Sequence, residues 1–234
     1  MAKGFDELIS KVNSCSVKTV SVAVAQDAPV LEAVKAAKER NIANAILVGD
    51  ADKIKEIAAT IDMDLSDYQI IDEKDTEQAA LKAVELVHNG TADMYMKGLI
   101  DTKSFLKSVL NKEVGLRNNR PLSHVCVFEI EGINKLLFLT DVAFMTYPTL
   151  EDKVHIIENT VEICNACGID MPKVAALAAV EVVNPKMPVT VEAAELTKMC
   201  EEGKIKGCIV DGPLSMDLAI CPEAAAHKGA EGRK

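Results

Sequence analysis

Hydrophobic and polar positions in the N-terminal part of the chain follow two alternating patterns, one typical of buried strands and one typical of amphipathic helices. The predicted strands are 18–25, 45–50, 68–71 and 92–96, and the predicted helices are 4–15, 29–40, 51–60 and 75–88. A further helix is expected to begin near Asp101 or Thr102. Strands separated by helices in this rhythm predict βαβ units and a parallel sheet covered on both faces.

The pattern changes in the middle of the chain. Two apolar runs at 125–130 and 136–140 predict adjacent strands joined by a hairpin-like connection. Beyond them the alternation returns, with predicted helices at 149–166 and 189–202 and predicted strands at 173–179 and 206–210. The expected fold class is α/β, with a boundary near residues 140–148. We therefore assign an N-terminal α/β domain to residues 1–143 and a second α/β domain to residues 144–234.

Composition predicts a soluble protein with an aliphatic core. Hydrophobic residues make up 49% of the chain, but aromatic residues only 3%, and there is no Trp. No apolar run approaches the ~20 residues that span a bilayer, and the N-terminus lacks a signal peptide, so we expect a cytoplasmic protein and no membrane partner. Seven scattered cysteines do not form a disulfide framework. Cys164 and Cys167 form a lone CxxC, which is either a metal or redox site or a thiol pair near a helix end; we expect no metal.

The net charge of −10 disfavours nucleic acid as a partner. An anionic small molecule would need a local cluster of basic side chains and backbone N–H groups. Lys97 and Gly98 follow the predicted strand 92–96 and precede a helix, where N–H groups and the helix dipole favour an anion. Gly98 would let a phosphate approach the backbone and Lys97 would supply charge. Alternatively, Gly98 is only a turn and Lys97 is solvated.

Three further loops carry candidate residues. The segment 115–124 contains Arg117, which either donates to phosphate oxygens or is solvated. Its Ser123-His124 pair suggests a nucleophile and a base, but neighbouring side chains on a strand point to opposite faces, so no direct hydrogen bond between them is expected. Asp141 ends the predicted strand 136–140 and either orients a ligand, transfers a proton or caps its loop. The remaining strand-end candidates are Asn184 and Lys186, and the run 207–210 that ends in Asp211-Gly212-Pro213.

Several of these loops resemble one family, the phosphate acetyl/butyryltransferases. The segments that carry the resemblance are Val24-Ala25-Gln26-Asp27, Met96-Lys97-Gly98-Leu99, 110–117, Ser123-His124-Val125, 138–144, 183–188 and Asp211-Gly212-Pro213-Leu214. The likeness extends from about residue 5 to residue 229. Several motifs in the same order and at the right intervals are far more specific than any one of them.

The resemblance implies an enzyme that reversibly transfers a short acyl group, typically butyryl, between coenzyme A and inorganic phosphate in acid fermentation. Its partners would be butyryl-CoA, coenzyme A, phosphate and butyryl phosphate, with the thioester as a substrate and no cofactor. The implied fold has two α/β domains of the isocitrate/isopropylmalate dehydrogenase type flanking a cleft, in a homo-oligomer. Lys97, Gly98, Thr102, Arg117 and Ser123 resemble family positions on the phosphate and acyl side. We expect Asp141 and Ser123 to be catalytic, and Asn184 and Lys186 to bind substrate.

The chain departs from the family pattern in two places. Lys107 stands where relatives commonly carry an Arg, so we expect weaker orientation of phosphate or coenzyme A. After Gly229 the sequence matches neither the family's Ser-Arg pair nor its nearby acidic residue, and we expect the C-terminal closing segment to be absent. The expectation for this shortened chain is therefore little or no turnover. The alternatives are a non-catalytic module that binds coenzyme A or acyl phosphate, and a phosphate acetyltransferase.

Overall fold

The computed structural model describes residues 4–229. The chain forms two compact units, of which one comprises Ile9–Asn119 and the other comprises residues 4–8 together with 120–229. Helix α1 (Phe5–Asn13) contributes residues to both units. Across residues 4–229, no helix combines the length and apolar character that crossing a membrane requires.

The unit Ile9–Asn119 is built around one parallel sheet. Its elements are β1 (Lys18–Ala23), α2 (Ala28–Glu39), β2 (Ala43–Gly49), α3 (Ala51–Thr60), β3 (Gln69–Asp72), α4 (Thr76–His88), β4 (Met94–Lys97) and α5 (Thr102–Val109). The strand order is β3-β2-β1-β4, with all neighbours parallel. The predicted alternation of strands and helices is thus confirmed, with ends shifted by one or two residues.

Helices cover both faces of this sheet, as the sequence pattern predicts. Successive side chains of β2 point to opposite faces. Ala45 and Leu47 join one cluster with residues of α2 and α3, whereas Ile46 and Val48 join another with residues of α4. Leu47 and Val48 are both fully buried. Burial on both faces explains why the strands are near-continuous apolar runs rather than alternating ones.

The unit that contains residues 120–229 has a hairpin and a second parallel pair of strands. Its further elements are β5 (Cys126–Phe128), β6 (Leu137–Leu139), α6 (Leu150–Ala166), β7 (Lys173–Leu177), α7 (Pro188–Glu201), β8 (Ile209–Leu214), α8 (Met216–Ile220) and α9 (Pro222–His227). β5 pairs antiparallel with β6, which confirms the predicted hairpin, and β7 pairs parallel with β8. Ile157 and Val161 of α6, Leu196 of α7 and Val210 of β8 form its apolar core.

The segment Asp211-Gly212-Pro213 differs from its prediction. The sequence pattern ends this strand at residue 210 and assigns Asp-Gly-Pro to a loop, but β8 runs from Ile209 to Leu214 and all three residues are buried. The strand continues because it is packed closely against β7: a Cβ on Gly212 would lie 2.6 Å from the Ala176 Cβ. The Ala178 N–H also donates to the Leu214 carbonyl at 2.8 Å. The loop at this strand end therefore begins at Ser215.

The two compact units divide between residues 119 and 120, ahead of the boundary at 143/144 that the sequence suggests. The β5–β6 hairpin belongs to the same unit as α6–α9. The assignment of domains at residues 1–143 and 144–234 stays a prediction.

Candidate functional site

The carboxyl ends of β1 and β4 form the strongest candidate site in the unit Ile9–Asn119. The chain builds the sheet from β1 outward to β3 and then crosses back to place β4 on the other side of β1. Open α/β sheets bind ligands at such a switch point, outside the carboxyl ends of the strands. Lys97 pairs with Ala23 in the last register position of β1 and β4, so both predicted residues Lys97 and Gly98 lie at this edge.

Gly98 is held against the end of β1. Its N–H donates to the Ala23 carbonyl at 2.9 Å, and the Leu99 N–H donates to the Val24 carbonyl at 2.8 Å. A Cβ on Gly98 would lie 2.4 Å from both of those carbonyl oxygens. Gly98 is therefore required by the close approach of two backbone segments, which is a stronger constraint than the turn considered from the sequence.

Val24, which follows β1, has an unusual backbone conformation that the sequence did not reveal. Its φ angle is +58°, and its side chain is only 2% exposed. A β-branched residue with positive φ is a genuine outlier, and such strain concentrates at functional sites. The next residue is fixed as well, since the Ala25 N–H donates to the Val48 carbonyl at 3.0 Å. The backbone at the switch point is thus strained and held from both sides.

Lys97, Thr102 and Arg117 are exposed in this unit. Within residues 4–229, neither Lys97 nor Arg117 has an ion-pair partner. Thr102 is the first residue of α5, whose N-cap Asp101 accepts from the Ser104 N–H at 2.9 Å. Hydrogen bonds from Ser104 hold the pKa of Asp101 below its ordinary value of 3.8. Lys97 and Thr102 therefore flank one strand-to-helix connection, with a positive charge and a hydroxyl available for an anion.

Lys107 lies on α5 but its charge is already engaged. Its Nζ is 2.9 Å from Glu77 Oε2 on α4, and the two side chains are 69% and 60% exposed. A sequence pattern could not reveal this pair, because its members are 30 positions apart. Any anion that binds Lys107 must compete with the Glu77 carboxylate.

Asp141 organises the loop that follows β6 in the other unit. Its Oδ2 accepts from the His124 N–H at 2.8 Å. Its Oδ1 accepts from the N–H groups of the residues two, three and four positions later, Ala143, Phe144 and Met145, at 2.9, 2.8 and 3.3 Å. Partial burial alone would raise the pKa of Asp141, but these N–H groups outweigh it and lower the pKa below 3.8. A carboxylate stabilised in this way is a poor proton acceptor near neutral pH.

Ser123 and His124 do not form a Ser–His pair, as expected for neighbouring residues. Ser123 Oγ accepts from Asn159 Nδ2 at 3.0 Å. The His124 ring instead lies 3.5 Å from Cys126 Sγ through Nε2 and 5.4 Å from the Phe144 ring centroid. His124 Nδ1 is buried without a hydrogen-bond partner among the described residues. Asn159, which holds Ser123, lies on α6, 36 positions away, and had no local signal in the sequence.

Asn184 and Lys186 lie in the loop between β7 and α7. Asn184 shapes this loop: its Oδ1 accepts from the Lys186 N–H at 2.9 Å, and its N–H donates to Thr190 Oγ1 at 2.9 Å. Lys186 is exposed. Asn184 is therefore placed to hold the loop, and Lys186 to offer charge from it.

The same loop is tied to the end of β8 by an ionic cluster that the sequence did not predict. Glu181 Oε1 accepts from Ser215 Oγ at 2.6 Å and from Lys228 Nζ at 2.8 Å. Lys228 Nζ also lies 3.0 Å from Asp217 Oδ2. The Ser215 hydroxyl and the Lys228 ammonium lower the pKa of Asp217 to about 2, and Lys228 lowers the pKa of Glu181.

Cys164 and Cys208 are buried rather than reactive. Desolvation raises the pKa of each thiol to about 11, so the thiolate that metal binding and nucleophilic attack require is disfavoured. In the part of the chain that the structure describes, no group of three or more His, Cys, Asp or Glu residues is placed to hold a metal ion.

Comparison with known proteins agrees with the resemblance of the loops. The family described as phosphate acetyl/butaryl transferase matches residues 4–81 and 73–233. The chain is 59% identical to the phosphate butyryltransferase of Clostridium acetobutylicum over 232 residues, which cover 99% of this chain and 77% of that relative. It is 42% identical to the phosphate acetyltransferase of Thermotoga maritima over 91% of this chain and 72% of that relative.

A solved structure gives the same result for the fold. The branched-chain phosphotransacylase of Enterococcus faecalis superimposes with a TM-score of 0.79 at 33% identity, covering 92% of this chain and 75% of that one. The parallel α/β fold is thus that of a phosphotransacylase. The chain belongs to the phosphate acetyl/butaryl transferase family.

Proposed function

We propose that this protein is a phosphate butyryltransferase, which reversibly transfers a butyryl group between coenzyme A and inorganic phosphate. The similarity to named phosphate butyryltransferases supports the choice of acyl group. The observation that supports the proposal is the geometry at the carboxyl ends of β1 and β4, where we propose that phosphate binds. There Lys97 and Thr102 flank a connection in which Gly98 brings two backbone segments together.

The reaction defines what the site has to supply. A phosphate oxygen attacks the thioester carbonyl, a C–O bond forms, and the C–S bond breaks as coenzyme A leaves as a thiolate that then takes a proton. The phosphate is charged throughout and needs cationic and N–H donors, for which we propose Lys97, Gly98, Thr102 and Arg117. The carbonyl oxygen gains charge in the tetrahedral intermediate and needs preorganised donors. The transfer involves no change of oxidation state, so we propose a coenzyme A thioester as substrate and no cofactor.

We propose separate parts for the candidates in the other unit. Ser123 is held by Asn159 and offers its hydroxyl to the acyl group or the coenzyme. Asp141 acts through the loop 141–145 that it holds, rather than as the base, because its pKa is lowered. Lys186 binds substrate phosphate from the loop that Asn184 shapes. The domain type of isocitrate/isopropylmalate dehydrogenases, a homo-oligomeric assembly and a cytoplasmic location also belong to this proposal.

The test is an assay of the purified chain with butyryl-CoA and phosphate. Little or no turnover is expected from the sequence, but whatever thiol release the chain supports should depend on phosphate and should be matched by formation of butyryl phosphate. Acetyl-CoA and isobutyryl-CoA are compared in parallel, and butyryl-CoA should give the highest kcat/KM. Thiol release that does not depend on phosphate would be hydrolysis and would contradict the proposal. Lys97→Met should raise the KM for phosphate, whereas Lys55→Met, an exposed lysine on α3, should leave it unchanged.

Removing the partner of Lys107 should strengthen binding of phosphate or coenzyme A. In Glu77→Gln the ammonium is no longer paired with a carboxylate 2.9 Å away, so we expect the dissociation constant to fall. An exposed pair is worth about 0.2–1 kcal/mol, so the expected gain is about 1.4- to fivefold. The measurement is titration calorimetry at low and high salt.

Screening should abolish that gain at high ionic strength. If Glu77→Gln binds phosphate and coenzyme A with the affinity of the parent at low salt, Lys107 does not contribute to binding either ligand.

A further inference from the structure

We infer that the side-chain amide of Gln26 is a phosphoryl-binding group at the carboxyl edge of the sheet, an inference that rests on the proposed function. Gln26 follows β1 by three positions and is half-buried. Ala23, the last residue of β1, pairs with Val48 of β2 on one side and with Lys97 of β4 on the other. The Gln26 amide lies beside Asp50 at the end of β2, and Lys97 and Gly98 lie at the end of β4, so they share one edge of the sheet across β1, about 10 Å apart by strand spacing.

The orientation of the Gln26 amide is determined by its neighbour. The Asp50 N–H donates to Gln26 Oε1 at 3.2 Å. A backbone N–H can only face an acceptor, so the carbonyl oxygen points to Asp50 and the NH₂ group points away from it. The Gln26 amide nitrogen makes no hydrogen bond within residues 4–229, and it is not among the buried polar atoms that lack a partner. Two oriented N–H donors are therefore available to a ligand.

The residue opposite this side chain leaves space for it. A Cβ on Gly49 would lie 2.1 Å from Gln26 Oε1 and 3.2 Å from its Cδ. The backbone of Gln26 is held by its neighbours, since the Ala25 N–H donates to Val48 and the Asp27 N–H donates to the Ala25 carbonyl at 2.8 Å. Glycine at position 49 thus leaves room for the Gln26 amide, and the Asp50 N–H orients it. Preorganised donors of this kind are worth more to a ligand than flexible ones.

The groups at the carboxyl edge of the sheet indicate which kind of ligand atom would bind the Gln26 amide. Amide N–H groups bind acceptor oxygens, and Lys97, which ends β4 at the same edge of the sheet, favours an anionic one. The carboxylate of Asp50, the residue whose N–H contacts Gln26, is engaged: its Oδ1 accepts from the Asp52 and Lys53 N–H groups and its Oδ2 pairs with Lys53 Nζ at 3.4 Å. A phosphoryl oxygen fits both features. It belongs either to inorganic phosphate and the acyl phosphate, or to the phosphates of coenzyme A.

Two substitutions of Gln26 separate ligand binding from support of the fold. Gln26→Glu keeps an oxygen acceptor for the Asp50 N–H but replaces both donors by a negative oxygen. Gln26→Met removes the acceptor and the donors without adding charge. In both variants the urea midpoint should stay close enough to that of the parent for binding to be measured on folded protein. Titration with inorganic phosphate should show affinity lowered about tenfold in Gln26→Met and further in Gln26→Glu.

The control is Gln78→Met on the exposed first turn of α4, which should bind phosphate as the parent does. If the Gln26 variants weaken coenzyme A binding and leave phosphate binding unchanged, the oxygen belongs to the coenzyme. If both folded variants bind both ligands as the parent does, or if only kcat falls, the inference is overturned. A parent that binds phosphate but releases thiol only by phosphate-independent hydrolysis contradicts the proposed function, while phosphate binding by the Gln26 variants still tests the inference about Gln26.

Discussion

Gly98→Ala is expected to lower the free energy of unfolding by about 3 kcal/mol and kcat/KM for phosphate by about a hundredfold. The added methyl group would lie 2.4 Å from the carbonyl oxygens of Ala23 and Val24, which is far inside contact distance. Neither oxygen can move alone, because each accepts a hydrogen bond from the segment that carries Gly98. The methyl group must therefore push the start of the Lys97–Thr102 connection away from β1.

The loss of activity should exceed what the loss of stability explains. Displacing a binding loop by about 1 Å is enough for a hundredfold effect on a reaction that depends on orientation. The measurements are the urea midpoint and kcat/KM, both made at a temperature where the variant is fully folded. A variant that is destabilised but binds and transfers normally would show that Gly98 serves packing alone.

Gly90→Ala is the matched control in the same unit. Gly90 has a φ of +79° and nothing within 4 Å of an added Cβ. Alanine there should cost about 1 kcal/mol through backbone strain alone, with unchanged phosphate affinity. The comparison separates the close contact at Gly98 from the general effect of replacing a glycine.

Most of the fold could be predicted because its elements carry local signals. The helix 51–60 has the bounds expected from the sequence, and its N-cap Asp50 accepts from the Asp52 and Lys53 N–H groups. The helix after Pro148 begins with a capping box in which the Thr149 hydroxyl and the Asp152 carboxylate exchange hydrogen bonds with the backbone. Caps of this kind lie within four residues, so a single sequence reveals them.

The strand that contains Asp211-Gly212-Pro213 shows where local signals fail. Gly and Pro usually mark loops, and Pro is found mainly on edge strands. Here the contact of Gly212 with Ala176 and Ala193 keeps the segment in the strand. Those partners are distant in sequence, so tertiary packing overrides the turn signal.

The candidate site could be predicted only in part for the same reason. Lys97 and Gly98 were found because a strand end next to a helix start is a local pattern. The conformation of Val24, the orientation of Gln26 by Asp50 and the pair between Lys107 and Glu77 depend on contacts between separate elements. Sequence spacing contains no information about such contacts. Sequence patterns identify candidate positions such as Lys97 and Gly98, whereas the contacts in the structure determine which side chains are available to a ligand.

Asp141→Asn should destabilise the unit that contains the β5–β6 hairpin by about 2 kcal/mol. The carboxylate accepts from four backbone N–H groups, and one oxygen joins His124, two residues before β5, to Asp141, two residues after β6. In the asparagine variant one oxygen can still accept from the loop 143–145, but the NH₂ group faces the His124 N–H. Two donors then face each other, and the N–H of the partly buried His124 loses its partner.

The pH dependence of this effect follows from the lowered pKa of Asp141. A carboxyl whose pKa is lower in the folded than in the unfolded state contributes stability above its ordinary value, here 3.8, and loses it as pH falls through the folded value. The difference in unfolding free energy between the parent and Asp141→Asn should therefore be constant from about pH 5 to pH 8. It should shrink below about pH 4, where the carboxyl of the unfolded parent begins to be protonated, and disappear below the lowered pKa of the folded state.

The same variant distinguishes a structural from a catalytic Asp141. If Asp141 holds the loop, Asp141→Asn lowers kcat/KM but leaves the shape of the pH–rate profile between pH 6 and pH 9 as in the parent, because a group with a pKa below 3.8 does not titrate there. If Asp141 is the base that accepts the thiol proton, kcat collapses although the urea midpoint is retained. Thr146→Ala, in the exposed part of the same loop, is the control and should change neither the midpoint nor the profile. Loss of stability together with a pH–rate profile like that of the parent would mean that Asp141 positions its loop. The base would then be a different residue.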